Sequence, residues 1–312
     1  MKVVLVHDWT IHMRGGERVL EALAELYPEA PIYTLFFDKT KLSPVLQRRT
    51  FVASFLQHLP GIKRYYRFLL PLLPLIVKTL RVQDSDLVLS TSHCVAKGIR
   101  VPSRALHVCY CHTPMRYIWG FEEEYFRNLP ALLKPLLRLL HAWLRMWDIA
   151  SNRRVDEFIS NSENVRRRIL EYYGRTSYVI HPPLSTEVFY PAAAKKDYYL
   201  IVSAFVPYKR VDLVIEAFNS LDRKLMIVGA GPLEDQYLMI RKNPRITFLG
   251  SVPDDELRIL LSEAKALIFP TDEDFGIVPL EAQACGTPVI AFKKGGALES
   301  VKSGIFFEAQ TS

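Results

Sequence analysis

The feature that most constrains this chain is a repeated alternation of short, β-branched apolar runs with stretches at helical spacing. It is broken once by a proline-rich segment and then starts again. The run KVVLV at 2–6 is closed by polar His7 and Asp8. A loop with Gly15 and Gly16 then leads into a helix expected to start near Glu17. Further runs follow at 86–90 (DLVLS), 105–110 (ALHVCY) and 156–160 (DEFIS). Short apolar runs without polar alternation are the mark of strands buried on both faces, and strands alternating with helices imply a parallel sheet covered on both sides.

The segment HPPLSTEVFYPAAAKKD, 181–197, has three prolines and no strand or helix period. It sets the expected domain boundary, giving domains at 1–185 and 186–312. Beyond it the alternation restarts with strands at 198–203, 224–229, 245–250 and 264–270 and helices reaching to about Ser220, from Pro232 and from Pro253. A second doubly wound α/β domain follows, ending at Ser312 just after a further strand, GIFFE, so this domain is expected to be incomplete. Charge divides the same way. Residues 1–185 carry 26 Lys and Arg against 16 Asp and Glu, and residues 186–312 carry 14 against 17, so a basic half is joined to a mildly acidic one.

Composition narrows the classes. With 49% hydrophobic residues, the chain has the apolar surface for sizeable cores and is not disordered. Cys94, Cys109, Cys111 and Cys285 form no CxxC pair, and the N-terminus has no secretory signal, so a reducing cytosol is expected. The longest uncharged apolar run, between Arg67 and Lys78, is broken by Pro71 and Pro74 and is shorter than the roughly 20 residues that span a bilayer. The segment 129–147 instead places Lys134, Arg138, His141 and Arg145 on one helical stripe among leucines and tryptophans. It suits either the surface of an anionic membrane or a core helix with a polar edge. No nucleic-acid motif is present.

The richest segment is EDFGIVPLEAQACGTPVIAF, 273–292. A strand ends at Pro270, a loop carries Glu273 and Gly276, and a helix from about Val278 presents Glu281. Ligands of open α/β sheets bind at such carboxyl ends of strands. Amides at the helix start suit an anion, and the two carboxylates suit sugar hydroxyls. A solvated acidic loop is the bland alternative. His107, Cys109 and Cys111 alternate along one strand, but no fourth zinc ligand is evident and buried structural thiols are the favoured reading. GAGPLE at 229–234 puts Glu234 where a dinucleotide fingerprint needs its third glycine.

Two glutamates flanking FG, followed by EAxACGTPVIA, closely resemble the Glu-x7-Glu signature of retaining glycosyltransferases of family 4, which have the GT-B fold. RGGERVL at 14–20, HTP at 112–114, SNS at 160–162 and VPYKRVDLVIEAF at 206–218 join it in the family's order, and the resemblance runs from Met1 to the end. It implies a GT-B architecture of two facing Rossmann-like domains, acceptor on the first and donor on the second. It assigns Glu273 to the donor hexose, Glu281 to the ribose, Lys209 to the diphosphate, His112 to the active site beside the donor sugar, and Gly15 and Gly16 to close backbone approach by donor phosphate or acceptor. The remaining donor contacts fall on Gly250, Val252, Asp274, Phe275, Gly276, Ile277 and Val278. One position departs from the family. Its usual arginine five residues before the lysine is Ala204 here, and Arg210 is the neighbouring candidate for the missing charge.

The resemblance further implies a mannosyltransferase-like enzyme of surface-polysaccharide synthesis. It would move a hexose from a nucleoside diphosphate sugar, with GDP-mannose as the best donor, to a glycan or lipid-linked acceptor, with no cofactor or metal. The expected location is the cytoplasm, peripheral on the membrane. A non-catalytic nucleotide-sugar-binding or membrane-adaptor protein of the same fold is the alternative.

Overall fold

In the computed structural model, which describes residues 1–120, 134–191 and 194–311, the chain forms two compact units, Met1–Pro183 and Leu184–Ser312. Of the segments read above, 129–133, residues 192 and 193 of the proline-rich stretch, and Ser312 lie outside the described residues.

The first unit holds seven parallel strands: β1 (Val3–His7), β2 (Ile32–Thr34), β3 (Phe51–Ala53), β4 (Leu87–Ser92), β5 (Leu106–Cys111), β6 (Glu157–Ser160) and β7 (Tyr178–Val179), in the order β3-β2-β1-β4-β5-β6-β7. The second unit repeats the plan with β8 (Tyr199–Val202), β9 (Leu225–Val228), β10 (Ile246–Gly250), β11 (Ala266–Phe269), β12 (Val289–Phe292) and β13 (Gly304–Phe307), ordered β10-β9-β8-β11-β12-β13. In each sheet the order reverses at one place, between β1 and β4 and between β8 and β11. A crevice opens there at the carboxyl ends of the strands because the connections on either side run in opposite directions.

Both faces of each sheet are buried, as the continuous apolar runs require. Along β1, Val4 and Val6 pack with Leu35, Phe36, Ile76 and Val88 on one face, while Leu5 packs with Leu20, Ala24, Ile32 and Leu46 on the other. In the second unit, Leu200, Leu267 and Val289 pack with Ala282 on one face, and Ile201, Ile227 and Ile268 with Ile215 and Phe218 on the other.

A polar knot pins the first unit from within. Lys97, 1% exposed, sits 2.8 Å from Asp148 Oδ1 and donates to the Asp148 carbonyl at 2.6 Å and to Asn152 Oδ1 at 3.0 Å. Asp148 Oδ2 accepts from Trp119 Nε1 and from the Tyr173 hydroxyl, each at 2.8 Å. The carboxylate therefore ties the helix Lys134–Ser151 to the turn after β4 and to the end of the helix Glu163–Tyr173.

Two expectations change. The expected loop glycines Gly15 and Gly16 are instead the first residues of the helix Gly15–Leu26, because Glu17 reaches back to accept from the Arg14 amide at 3.2 Å and closes the helix start earlier. The basic stripe expected on 129–147 is divided. Arg138 is exposed, whereas Arg145 turns inward, donating to the Ile118 carbonyl at 2.8 Å and lying over the Trp119 ring. The outward face carries Leu136, Leu139, Met146 and Ile149. Among the described residues, no helix is long and apolar enough to cross a membrane.

Candidate functional site

Each unit gathers polar residues at the carboxyl ends of its central strands, and the two gatherings differ in chemistry.

In the first unit they come from the ends of β1, β4 and β5. Asp8, fully buried, accepts from four successive amides: His93 at 2.7 Å, Cys94 at 3.0 Å, Val95 at 2.6 Å and Ala96 at 2.7 Å. A carboxylate satisfied by four N–H groups is an anchor. It holds the turn after β4 and places His93 Nδ1 at 3.1 Å from its own Oδ2. His7 bonds Thr91 Oγ1 through Nδ1 at 2.6 Å, and its ring lies 5.9 Å from that of His93 and 6.3 Å from that of His112. Burial, with the neighbouring His93 and His112, holds His7 well below the usual imidazole range. Burial likewise lowers His93. Neutral imidazoles exchange hydrogen bonds with hydroxyl groups and bring no charge.

Gly16 explains why this packing is open to the helix start. A Cβ there would lie 3.4 Å from His7 Cε1 and 3.6 Å from His112 Nε2. Gly16 and His112, far apart in sequence, are thus neighbours. The HTP and SNS segments also meet: Asn161 Nδ2 donates to the His112 carbonyl at 3.0 Å, and Arg168 to Thr113 Oγ1 at 2.9 Å. In the sequence His7 and Asp8 stand out only as the polar close of the first strand, and His93 does not stand out at all. The signal that finds them is their place, polar residues closing the first and fourth strands of a doubly wound sheet. His107, Cys109 and Cys111 belong elsewhere. Both His107 nitrogens are engaged, with the Arg154 carbonyl at 2.6 Å and Ser90 Oγ at 2.8 Å, and the two thiols sit in the core under the helix Glu163–Tyr173.

Glu17 stands apart. It is 7% exposed, and burial raises its carboxyl from 4.5 to about 7. The unfolded chain then releases this proton at lower pH than the native one does. Stability therefore falls as pH rises from about 4.5 through 7, by about 3 kcal/mol in all. Glu17→Gln removes that loss. Its melting temperature relative to the parent is expected to climb between pH 5 and pH 8, and an equal difference at both pH values would refute the assignment.

In the second unit the parallel pairing of β8 with β11 sets the loops after them side by side. Thr271 Oγ1 donates to the Lys209 carbonyl at 3.1 Å, and Lys209 Nζ forms an ion pair with Glu273. The loop carrying Glu273 is seated on Gly295 and Gly296. A Cβ on Gly296 would come within 2.2 Å of Phe275 Cα, one on Gly295 within 2.4 Å of the Glu273 carbonyl, and the Gly296 amide donates to that carbonyl at 2.7 Å. Gly276, at φ 89°, turns the chain into the helix Ile277–Ala284, on which Glu281 is half-buried. Asp274 and Phe275 are buried, while Ile277 and Val278 are half-buried in the first turn, Val278 against the core.

Lys209 ends a short turn, Pro207–Lys209, ahead of the helix Val211–Ser220, and Arg210 joins the two at φ 52°. The Arg210 guanidinium faces Asp212 Oδ2 at 3.4 Å and Gln310 Oε1 at 3.5 Å. Gly250, with φ 69°, accepts from the Gly229 amide at 2.8 Å, and Val252 packs on the core, so this loop is tied to the end of β9. Gly229 and Gly231 permit close backbone packing: a Cβ would lie 1.8 Å from the Ser203 carbonyl oxygen and 2.6 Å from that of Phe205, respectively.

The chain matches the sequence profile described as Glycosyltransferase Family 4 over residues 13–188 and that described as Glycosyl transferases group 1 over 185–311. It is 31% identical over 153 residues to an uncharacterized glycosyltransferase of Methanocaldococcus jannaschii, a match covering 48% of this chain and 43% of that protein. It is 33% identical over 175 residues to the D-inositol 3-phosphate glycosyltransferase of Mycobacterium tuberculosis, covering 48% and 36%. The matches thus span less than half the length of either relative. Among solved structures, Anabaena HepE in complex with UDP aligns with a TM-score of 0.71 at 18% identity over 100% of this chain and 87% of that one. Sucrose-phosphate synthase from Thermosynechococcus elongatus gives 0.70 at 17% over 98% and 86%. Both sheets and their order therefore form a GT-B-type α/β fold.

Proposed function

We propose, from the premise that this chain belongs to glycosyltransferase family 4, that it is a retaining hexosyltransferase. In this reading a hexose passes from a nucleoside diphosphate sugar to a hydroxyl of a glycan or lipid-linked glycan in surface-polysaccharide synthesis. The observation that carries the reading is the pairing of Lys209 with Glu273 beside the helix that bears Glu281, at the β8/β11 reversal. Lys209 neutralises the diphosphate, whose negative charge grows as the glycosidic bond breaks. Glu273 receives hexose hydroxyls and Glu281 the ribose. Helix-start amides near Gly276 favour phosphate. A diphosphate at Lys209 competes with the carboxylate that holds that lysine. For retention, the leaving phosphate accepts the proton of the attacking hydroxyl on the same face of the sugar, and His112 lies on the acceptor-side unit, its backbone carbonyl held by Asn161 Nδ2.

GDP-mannose is the proposed donor. UDP-glucose, which a crystal structure of HepE contains, is its competitor. The test is a thermal-shift comparison of GDP, UDP and ADP with the parent chain and Lys209→Ala. A nucleotide at about 100 times its Kd stabilises by roughly 2.7 kcal/mol. A shift with GDP alone that disappears in Lys209→Ala supports the reading. A shift with UDP alone replaces the donor, and no shift with any of the three sinks the nucleotide site.

The proposed location is the cytoplasmic face of the membrane. Phe68, Leu72 and Leu75 are exposed between Lys63, Arg64, Arg67 and Lys78, an apolar and basic mixture suited to an anionic bilayer surface. Sedimentation with vesicles carrying phosphatidylserine, and none with neutral vesicles, is expected. Equal recovery with both would count against it.

A further inference from the structure

The loop after β11, which carries Glu273, is held by chain that follows three other strands of its sheet. Thr271, 2% exposed, donates through Oγ1 to the Lys209 carbonyl in the turn after β8 at 3.1 Å. The Gly296 amide, beyond β12, donates to the Glu273 carbonyl at 2.7 Å. Beyond β13, Gln310 donates through Nε2 to the Pro270 carbonyl at 2.7 Å, and its Oε1 faces Arg210 Nη1 at 3.5 Å. Glu308, Ala309 and Thr311 beside it are exposed, whereas Gln310 is half-buried. These contacts close a ring. From Lys209 it passes along the chain to Arg210, across Gln310 to Pro270, and back through Thr271 to the Lys209 carbonyl. Gln310 and Thr271 both end on backbone carbonyls, one on each side of the Lys209–Glu273 ion pair, so the ring fixes main chain and not only side chains. Lys209 has a flexible four-carbon stem, and where its ammonium works is set by where its backbone is held.

We infer that Thr271, Gln310 and Arg210 are positioning residues that clamp the turn after β8 to the loop after β11, and so hold Lys209 where the diphosphate of the nucleotide sugar is bound. The inference rests on the glycosyl-transfer reading and gives Arg210 a place in it other than a phosphate contact. Three observations carry that place. The Arg210 charge already faces Asp212, with Nε 3.4 Å from Oδ2. Its backbone, at φ 52°, takes a conformation unfavourable outside glycine, and such strain persists where the surroundings over-determine it. Gln310 uses its amide oxygen toward Arg210 and its amide nitrogen toward Pro270, the arrangement of a bridge between two loops. Displacing a group that holds the reacting parts costs binding and turnover even though that group touches no substrate.

The test is calorimetric titration of the full chain with GDP and with UDP, carried on with whichever nucleotide the parent binds. Thr271→Val keeps the shape of the side chain and removes its hydroxyl, and is expected to weaken binding about tenfold. Thr271→Ser restores the hydroxyl and is expected to recover most of that loss, which a requirement for bulk alone would not allow. Arg210→Ala and Gln310→Ala are expected to weaken binding by similar factors. Their combination is expected to be no worse than the larger of the two, because both cut one bridge and a double-mutant cycle exposes the shared contact. If Gln310→Ala binds like the parent while Arg210→Ala does not, Arg210 contacts the phosphate directly and the inference is overturned. Multiplying losses in the double variant overturn the bridge in the same way. Equal binding by parent and Thr271→Val, or a serine variant no better than the valine one, overturns the tie through Thr271. Each of these results leaves the nucleotide site standing and removes the clamp alone. A parent that binds neither nucleotide removes the transferase reading and the clamp with it.

Discussion

Glu273→Gln is expected to lower transfer by a factor of about 10²–10³ while tightening the binding of the free nucleoside diphosphate. The two effects have opposite signs because Glu273 has two partners in this reading. It contacts the hexose during transfer, and in the structure it forms an ion pair with Lys209, both side chains being largely buried. Removing its charge frees Lys209 for the diphosphate, so the Kd for the nucleotide diphosphate falls while kcat falls with it. Calorimetric titration of the nucleotide together with donor hydrolysis measures both. A variant that loses nucleotide affinity and turnover in parallel would show that Glu273 merely supports the loop. A variant that keeps its full turnover would remove Glu273 from the chemistry.

The second large effect is on stability. Lys97→Met leaves Asp148 buried with its charge uncompensated and is expected to cost about 3–5 kcal/mol in the first unit. Asp148→Asn is milder, because an amide oxygen still accepts from Trp119 and Tyr173, although it leaves the Lys97 ammonium without a counterion. Urea unfolding followed by tryptophan fluorescence reads this unit directly, since Trp9, Trp119, Trp143 and Trp147 all lie in it. A loss below about 1 kcal/mol for Lys97→Met would mean that the knot is solvated and not a buried ion pair.

The lysine and the carboxylate of that knot are separated by about fifty residues, and neither announces itself in the sequence. Lys97 reads as one more surface lysine, and only the helix Lys134–Ser151 folding over Gly98, where Trp147 lies within 2.6 Å of a Cβ position, encloses it. Burial of a charge depends on what covers it, and the cover comes from distant chain.

The strands show the opposite case. β4, β5, β8, β9, β10 and β11 lie within a residue or two of the apolar runs read from the sequence, because a strand buried on both faces needs no partner to be recognised. β2 and β3, three residues each, were not read at all. At that length an apolar run has no period, and the pairing that makes them strands, Ile32 to Leu5 and Phe51 to Ile32, is a tertiary fact.

The candidate site divides along the same line. Glu273, Gly276 and Glu281 were legible as a local pattern, because loop, helix start and helix are contiguous in the chain. The setting of Arg210 is not legible in the sequence: its backbone adopts φ 52°, a conformation unusual outside glycine, which places the guanidinium beside Asp212 and Gln310.

By itself the sequence determined where the buried strands lie, that they form two doubly wound sheets, and which loop carries the paired glutamates. Each of these depends on residues within one turn or strand of each other. Only the tertiary structure decided that Lys209 meets Glu273, that Gly295 and Gly296 seat the loop between them, and that Asp8 holds four amides beside His7 and His93. Those contacts join strands and loops that are neighbours only through sheet order, and sheet order is set by packing the whole domain.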